Sequence, residues 1–102
     1  MTDDYMTGES APSDVVRRRI LVDGHVQGVG FRMSCARRAR AAGLSGWVRN
    51  LQDGRVEIVL QGPDKSVSEV ERWCAHGPGL AVVTSVQGTD EPQTPEHGFA
   101  IR

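Results

Sequence analysis

The segment Gly24-His25-Val26-Gln27-Gly28-Val29-Gly30-Phe31-Arg32 gathers the residue types from which an anion site is built. Three glycines within seven residues admit backbone angles closed to other residue types, so consecutive N–H groups can turn toward one point. Helical periodicity starts at Phe31, and a helix start adds unpaired N–H groups and the positive end of its dipole. Arg32 falls in that first turn, where the dipole disfavours a cation. Its placement is explained by a guanidinium that closes over a bound anion with two parallel hydrogen bonds. The expected phosphate-binding set is therefore Gly24, His25, Val26, Gln27, Gly28, Val29, Gly30, Phe31 and Arg32. The glycine spacing matches neither a dinucleotide-binding GxGxxG nor a Walker loop, which also needs a terminal Gly-Lys-Ser/Thr.

Binding a phosphate is not cleaving it. No Ser or Cys in the loop occupies the nucleophile position of a Cys-x5-Arg phosphatase. Ser34 and Cys35 lie roughly 200 to 300 degrees around the helix from Arg32 and so face elsewhere. His25, beside the first glycine, is a candidate acid or base. Asn50 is a second candidate, because its amide oxygen can accept a hydrogen bond from water while its NH2 donates to a phosphoryl oxygen. Asparagine is equally a common turn former. The residue types alone leave both roles open.

These residues need elements to hold them. Val16 to Val22 reads as a first strand, with Ile20 and Val22 pointing one way and Arg17, Arg19 and Leu21 the other. The run Arg17-Arg18-Arg19 reads as a solvated outer strand in preference to an anion patch. Phe31, Cys35, Ala39 and Ala42 recur on one helical face, with Arg37, Arg38 and Arg40 toward water, and Gly43 supplies the stop. Leu44 to Asn50 and Arg55 to Gln61 read as strands, joined by Asp53-Gly54 into an antiparallel hairpin. Gly62-Pro63-Asp64 ends the third strand, Ser66-x-x-Glu69 resembles a capping box, and Val67, Val70 and Cys74 mark a second helix broadened by Trp73. That helix should stop at Gly77-Pro78-Gly79. Leu80 to Val86 then reads as a strand, Thr89 to His97 as a polar connection, and Phe99 with Ile101 as a short last strand. The order is βαββαβ with a fifth strand at the end. It predicts an α/β (α+β) sandwich of the ferredoxin-like kind, an antiparallel sheet with two helices on one face.

Composition sets the limits. A chain of 102 residues, 38% apolar, supports a single core. The first fourteen residues are small, polar or acidic and read as a disordered tail ahead of a domain at 15–102. A net charge of −1 provides no basic field for nucleic acid or an anionic membrane. No apolar run is long enough to span a bilayer and the first residues do not form a signal peptide, so a cytoplasmic location is expected. Cys35 and Cys74 read as reduced core thiols. With His25, His76 and His97 scattered, no metal or cofactor site is expected.

Two longer patterns carry a family resemblance. Val22-x-Gly24-x-Val26-Gln27-Gly28-Val29-x-Phe31-Arg32 resembles the first signature of the acylphosphatases, and Gly46-Trp47-Val48-Arg49-Asn50-x3-Gly54-x-Val56-x5-Gly62 resembles their second. The likeness runs from about Val16 to Phe99-Ala100-Ile101-Arg102. It implies hydrolysis of the carboxyl–phosphate bond of a small-molecule acyl phosphate, without metal or organic cofactor. It also implies that Arg32 binds the phosphate with the loop backbone while Asn50 positions the attacking water. An inactive phosphate-binding module of the same fold is the alternative. An RNA-binding module would need an aromatic platform, for which five aromatic residues, one of them Tyr5 in the tail, are too few. A monomer is expected.

Overall fold

The structure is a computed structural model that describes residues 14–102. The expected tail lies outside the described residues except for Asp14. The elements are β1 (Val15–His25), α1 (Phe31–Ala41), β2 (Ser45–Asn50), β3 (Val56–Pro63), α2 (Asp64–Cys74), β4 (Val82–Glu91) and β5 (Phe99–Ile101). They form one five-stranded sheet in the order β4-β1-β3-β2-β5. All neighbours are antiparallel except β2 and β5, which pair in parallel. This is the ferredoxin-like βαββαβ arrangement, with one strand added at the β2 edge.

One face of the sheet carries the core. Ile20 and Val22 of β1, Val48 of β2, and Val56, Ile58 and Leu60 of β3 pack against Phe31, Cys35, Ala36 and Ala39 of α1 and Val67, Val70 and Cys74 of α2. Small residues on α1 let that helix lie close to the strands. Cys35 and Cys74 are free and buried. A hydrogen bond with Cys35 and burial together push the Cys74 thiol well above its usual range.

The register carries the functional consequence. Val56 of β3 faces Val22 on one side and Asn50 on the other, and Val48 of β2 lies beside Ile101 of the parallel strand β5. The C-terminal ends of β1, β2 and β5 therefore emerge at one end of the sheet. Gly24 and His25 extend β1 beyond that level, against Val83 and Val82 of β4.

Several boundaries and environments differ from expectation. The strand with the three arginines is not an outer strand, because β1 is hydrogen-bonded to β4 and β3 on its two sides. Its arginines are matched by acids contributed from afar: Arg17, 9% exposed, pairs with Glu91 and Glu96. Arg18 reaches Asp64, Glu71 and Asp90, and Arg19 reaches Glu57. The capping box is not formed. Helix α2 starts three residues earlier, at Asp64 with Pro63 as its N-cap, and has no side-chain cap bond. Pro63, with φ −57°, suits a helix entry, and the Asp64 carboxylate suits the positive end of the dipole. Finally, β4 starts at Val82 rather than Leu80 and continues to Glu91, where a polar connection was expected. Its polar second half pairs with Arg17, Arg18 and Arg19, so cross-strand charge matching replaces apolar alternation there.

Candidate active site

The loop between β1 and α1 leaves the sheet with Val26, which is 1% exposed, and re-enters the core with Phe31, 2% exposed. These two apolar anchors hold the intervening residues at the surface. Gly28 has φ 76° and Gly30 φ 80°, left-handed values that glycine adopts without steric cost. Gly30 is also the N-cap residue of α1, and its carbonyl accepts from the Ser34 N–H at 3.0 Å. The N–H groups of Phe31, Arg32 and Met33 thus belong to the first turn, which has no earlier carbonyls to bond.

A cleft of about 220 Å³ opens at this point, lined by Val26, Gly28, Gly30, Phe31, Arg32, Met33, Asn50 and Ile101. The loop, the start of α1, the end of β2 and the end of β5 all contribute, as the register requires. Arg32 donates from Nη1 to the main-chain oxygen of Arg102 at 3.0 Å. Arg102 is itself fixed by its N–H bond to the Val48 carbonyl at 2.8 Å and by stacking of its guanidinium 4.6 Å from the Trp47 ring centre. The end of β5 therefore steadies Arg32 over the cleft. Asn50 lines the cleft, and its Oδ1 is buried with no hydrogen-bond partner among the described residues. Buried polar atoms without partners are rare in folded proteins and call for a reason.

Of the residues expected from the sequence, Val26, Gly28, Gly30, Phe31, Arg32 and Asn50 meet at the cleft. Gly24, His25, Gln27 and Val29 do not line it. Gly24 has a packing role as well. A Cβ there would run into the Val82 carbonyl oxygen, so this glycine allows β1 and β4 to approach at the bulge after Asp23. His25 is exposed at the end of β1, and Val29 packs against the core. Gln27 is a residue whose role sequence reasoning missed. Its Nε2 donates to the Leu51 and Arg55 carbonyls at 2.8 and 2.9 Å, fastening the loop to the β2–β3 turn that follows Asn50. No local signal announces this, because both partners come from another element.

A larger cavity, about 530 Å³, lies between α1 and the end of α2 and is lined by Ser34, Arg37, Arg38 and Trp73 among others. None of the expected site residues borders it. Ser34 on its wall and Cys35 in the core agree with the helical geometry that turns both away from Arg32. Among the described residues, no three His, Cys, Asp or Glu side chains come together as a metal site, and no helix is long and apolar enough to cross a membrane.

Comparison with known proteins converges on one group. The family model for acylphosphatase matches residues 18–101. An acylphosphatase from Synechococcus is 48% identical over 96 residues, spanning 93% of this chain and 96% of its own length. The structure of an acylphosphatase from Coxiella burnetii superposes with a TM-score of 0.85 at 33% identity, over 88% of this chain and 95% of that one. That of the Bacillus subtilis acylphosphatase gives 0.82 at 38%, over 85% and 98%. Loop, register and relatives agree, and the chain belongs to the acylphosphatase family.

Proposed function

We propose that this protein hydrolyses acyl phosphates to a carboxylate and inorganic phosphate by direct attack of water on phosphorus. The observation that carries the reading is the convergence of Asn50, Arg32 and the left-handed glycines Gly28 and Gly30 on one cleft. Loop N–H groups and the Arg32 guanidinium hold the phosphoryl oxygens, where they also stabilise charge that develops as the bond to the leaving group breaks. The Asn50 side-chain amide hydrogen-bonds the attacking water and keeps it in line. The new bond joins the water oxygen to phosphorus. The bridging P–O bond breaks, and its electron pair departs on the carboxylate. No Asp, Glu, His, Cys or Lys lines the cleft, so the water proton passes to an oxygen of the substrate's own phosphate. A mixed anhydride already has a good leaving group, and a site without a base suffices.

The test is a pair of variants read by two measurements, benzoyl phosphate hydrolysis and calorimetric affinity for inorganic phosphate. Asn50→Ala should keep phosphate affinity and KM near wild type while kcat falls about 100-fold, since a water roughly 1 Å out of line costs that much. Arg32→Ala should lose both. Near-normal turnover in Asn50→Ala would return Asn50 to a turn former, and unchanged phosphate affinity in Arg32→Ala would put the anion elsewhere.

A further inference from the structure

Four large apolar side chains stand well exposed among the described residues: Met33, Leu80, Val82 and Ile101. Leu80 and Val82 flank the start of β4. The other two, Met33 at 64% and Ile101 at 41% exposure, both line the small cleft that holds Arg32 and Asn50. They come from different elements, the first turn of α1 and the end of β5. Each is kept in place for a reason of its own. Met33 follows Arg32 directly in the helix, and Ile101 is carried by the parallel pairing of β5 with Val48.

We infer that Met33 and Ile101 are an acyl-group subsite that selects substrates with uncharged, apolar acyl chains over anionic ones. This rests on the function proposed above and adds the substrate class. The cleft is divided chemically. Gly28, Gly30 and Arg32 supply N–H donors for the phosphate, whereas Val26, Phe31, Met33 and Ile101 are apolar. Val26 and Phe31 are already buried in the core, which leaves Met33 and Ile101 as the apolar surface that a bound chain can still cover. A flexible thioether adapts to differing shapes. No second cation lines the cleft to receive an anionic acyl chain. Arg102, the nearest by sequence to Ile101, has its guanidinium on the Trp47 ring. An acyl carboxylate would therefore lose water without gaining a partner.

Non-reacting contacts of this kind act equally on bound substrate and transition state, so they should appear in KM more than in kcat. Full burial of one methylene corresponds to about fourfold in affinity, and an open lip should return about twofold. The experiment compares acetyl, propionyl, butyryl and succinyl phosphates with wild type and the Met33→Gln/Ile101→Thr double variant. Both sites are exposed and Thr keeps a β-branched residue in β5. In parallel, calorimetry follows binding of the matching β-ketophosphonates, in which a methylene replaces the bridging oxygen and hydrolysis is impossible. Wild type should gain about twofold per methylene, with succinyl phosphate at least about tenfold worse than butyryl phosphate. The double variant should lose the chain-length gain while binding inorganic phosphate as before. A flat series in wild type, an unchanged gain in the variant, or a preference for succinyl would overturn the subsite. Absence of hydrolysis with every acyl phosphate would instead refute the proposed function, and the phosphonate series would still decide whether the lip exists.

Discussion

Single side chains at this site divide into those that face the cleft and those that hold it together, and the two groups should respond differently to substitution. Gln27 belongs to the second. Gln27→Met keeps the length of the side chain and removes both donors to Leu51 and Arg55, freeing the turn beside Asn50. Turnover should drop about tenfold, the effect of a sub-ångström misplacement, with phosphate affinity unchanged by calorimetry. A parallel loss of phosphate affinity would make Gln27 a ligand and not a brace. The glycines divide in the same way. Gly24→Ala drives a methyl into the β4 backbone, with Thr84 N also only 2.9 Å from the new Cβ. It should cost about 3 kcal/mol or more from overpacking and left-handed strain. Gly28→Ala has nothing within 4 Å of the new methyl. It should cost only the backbone strain, about 1 to 2 kcal/mol, yet weaken phosphate binding as the loop relaxes. Thermal melts paired with phosphate titration separate the two. Equal melting temperatures for both variants would contradict the assignment.

At the level of elements, the unexpected feature is how the sheet manages its outer face. Glu57 of β3 is 2% exposed on the side away from the helices and accepts from Arg19 at 2.5 Å and Arg49 at 2.6 Å. Burial alone would raise its pKa, but hydrogen bonds from Arg49 and Arg19 and their charges outweigh burial and hold it below the usual 4.5. These pairs knit β1, β3 and β2 together across the sheet. A carboxylate with a depressed folded pKa gives its full stabilisation above the unfolded value, and that stabilisation is lost as pH falls through the folded one. Glu57→Gln should therefore be destabilised by about 1 to 2 kcal/mol at pH 7, a figure kept low because both arginines are partly exposed and can rehydrate. The gap to wild type should close as pH drops below 4.5. Urea melts at several pH values measure it directly, and a gap that widened on acidification would refute the ion-pair explanation.

The whole molecule is organised so that three strand ends and one helix start meet at a single cleft, with the core behind them built from residues within 14–102. We propose that residues 1–14 are dispensable for this fold and its site. Removing residues 1–14 should shift the melting temperature by less than about 2 °C, under half of what 1 kcal/mol produces in a domain this size, and leave benzoyl phosphate turnover unchanged. A marked loss of either would assign those residues a place in the fold.

Much of this architecture was legible in the chain itself because its signals are local. A glycine-rich loop running into an amphipathic helix, Asp53-Gly54 between two apolar strands, and apolar faces repeating at the right periods each depend on neighbours within a few positions. Arg32 stood out for the same reason, since its conflict with the helix dipole is visible from its place in the first turn. What tertiary structure alone decided is what depends on partners distant in sequence. The arginine run looked solvated until β1 was placed between β4 and β3, where Asp90, Glu91 and Glu57 reach it. The packing role of Gly24 was hidden until the β4 backbone was seen against it. Gln27 could not be called a brace before the β2–β3 turn was brought beside it. Asn50, left open between turn former and water holder by its residue type, is brought beside Arg32 at the cleft by the sheet register, with its amide oxygen buried and without a partner among the described residues. Burial and hydrogen-bond satisfaction are properties of the packed chain, and no window of sequence contains them.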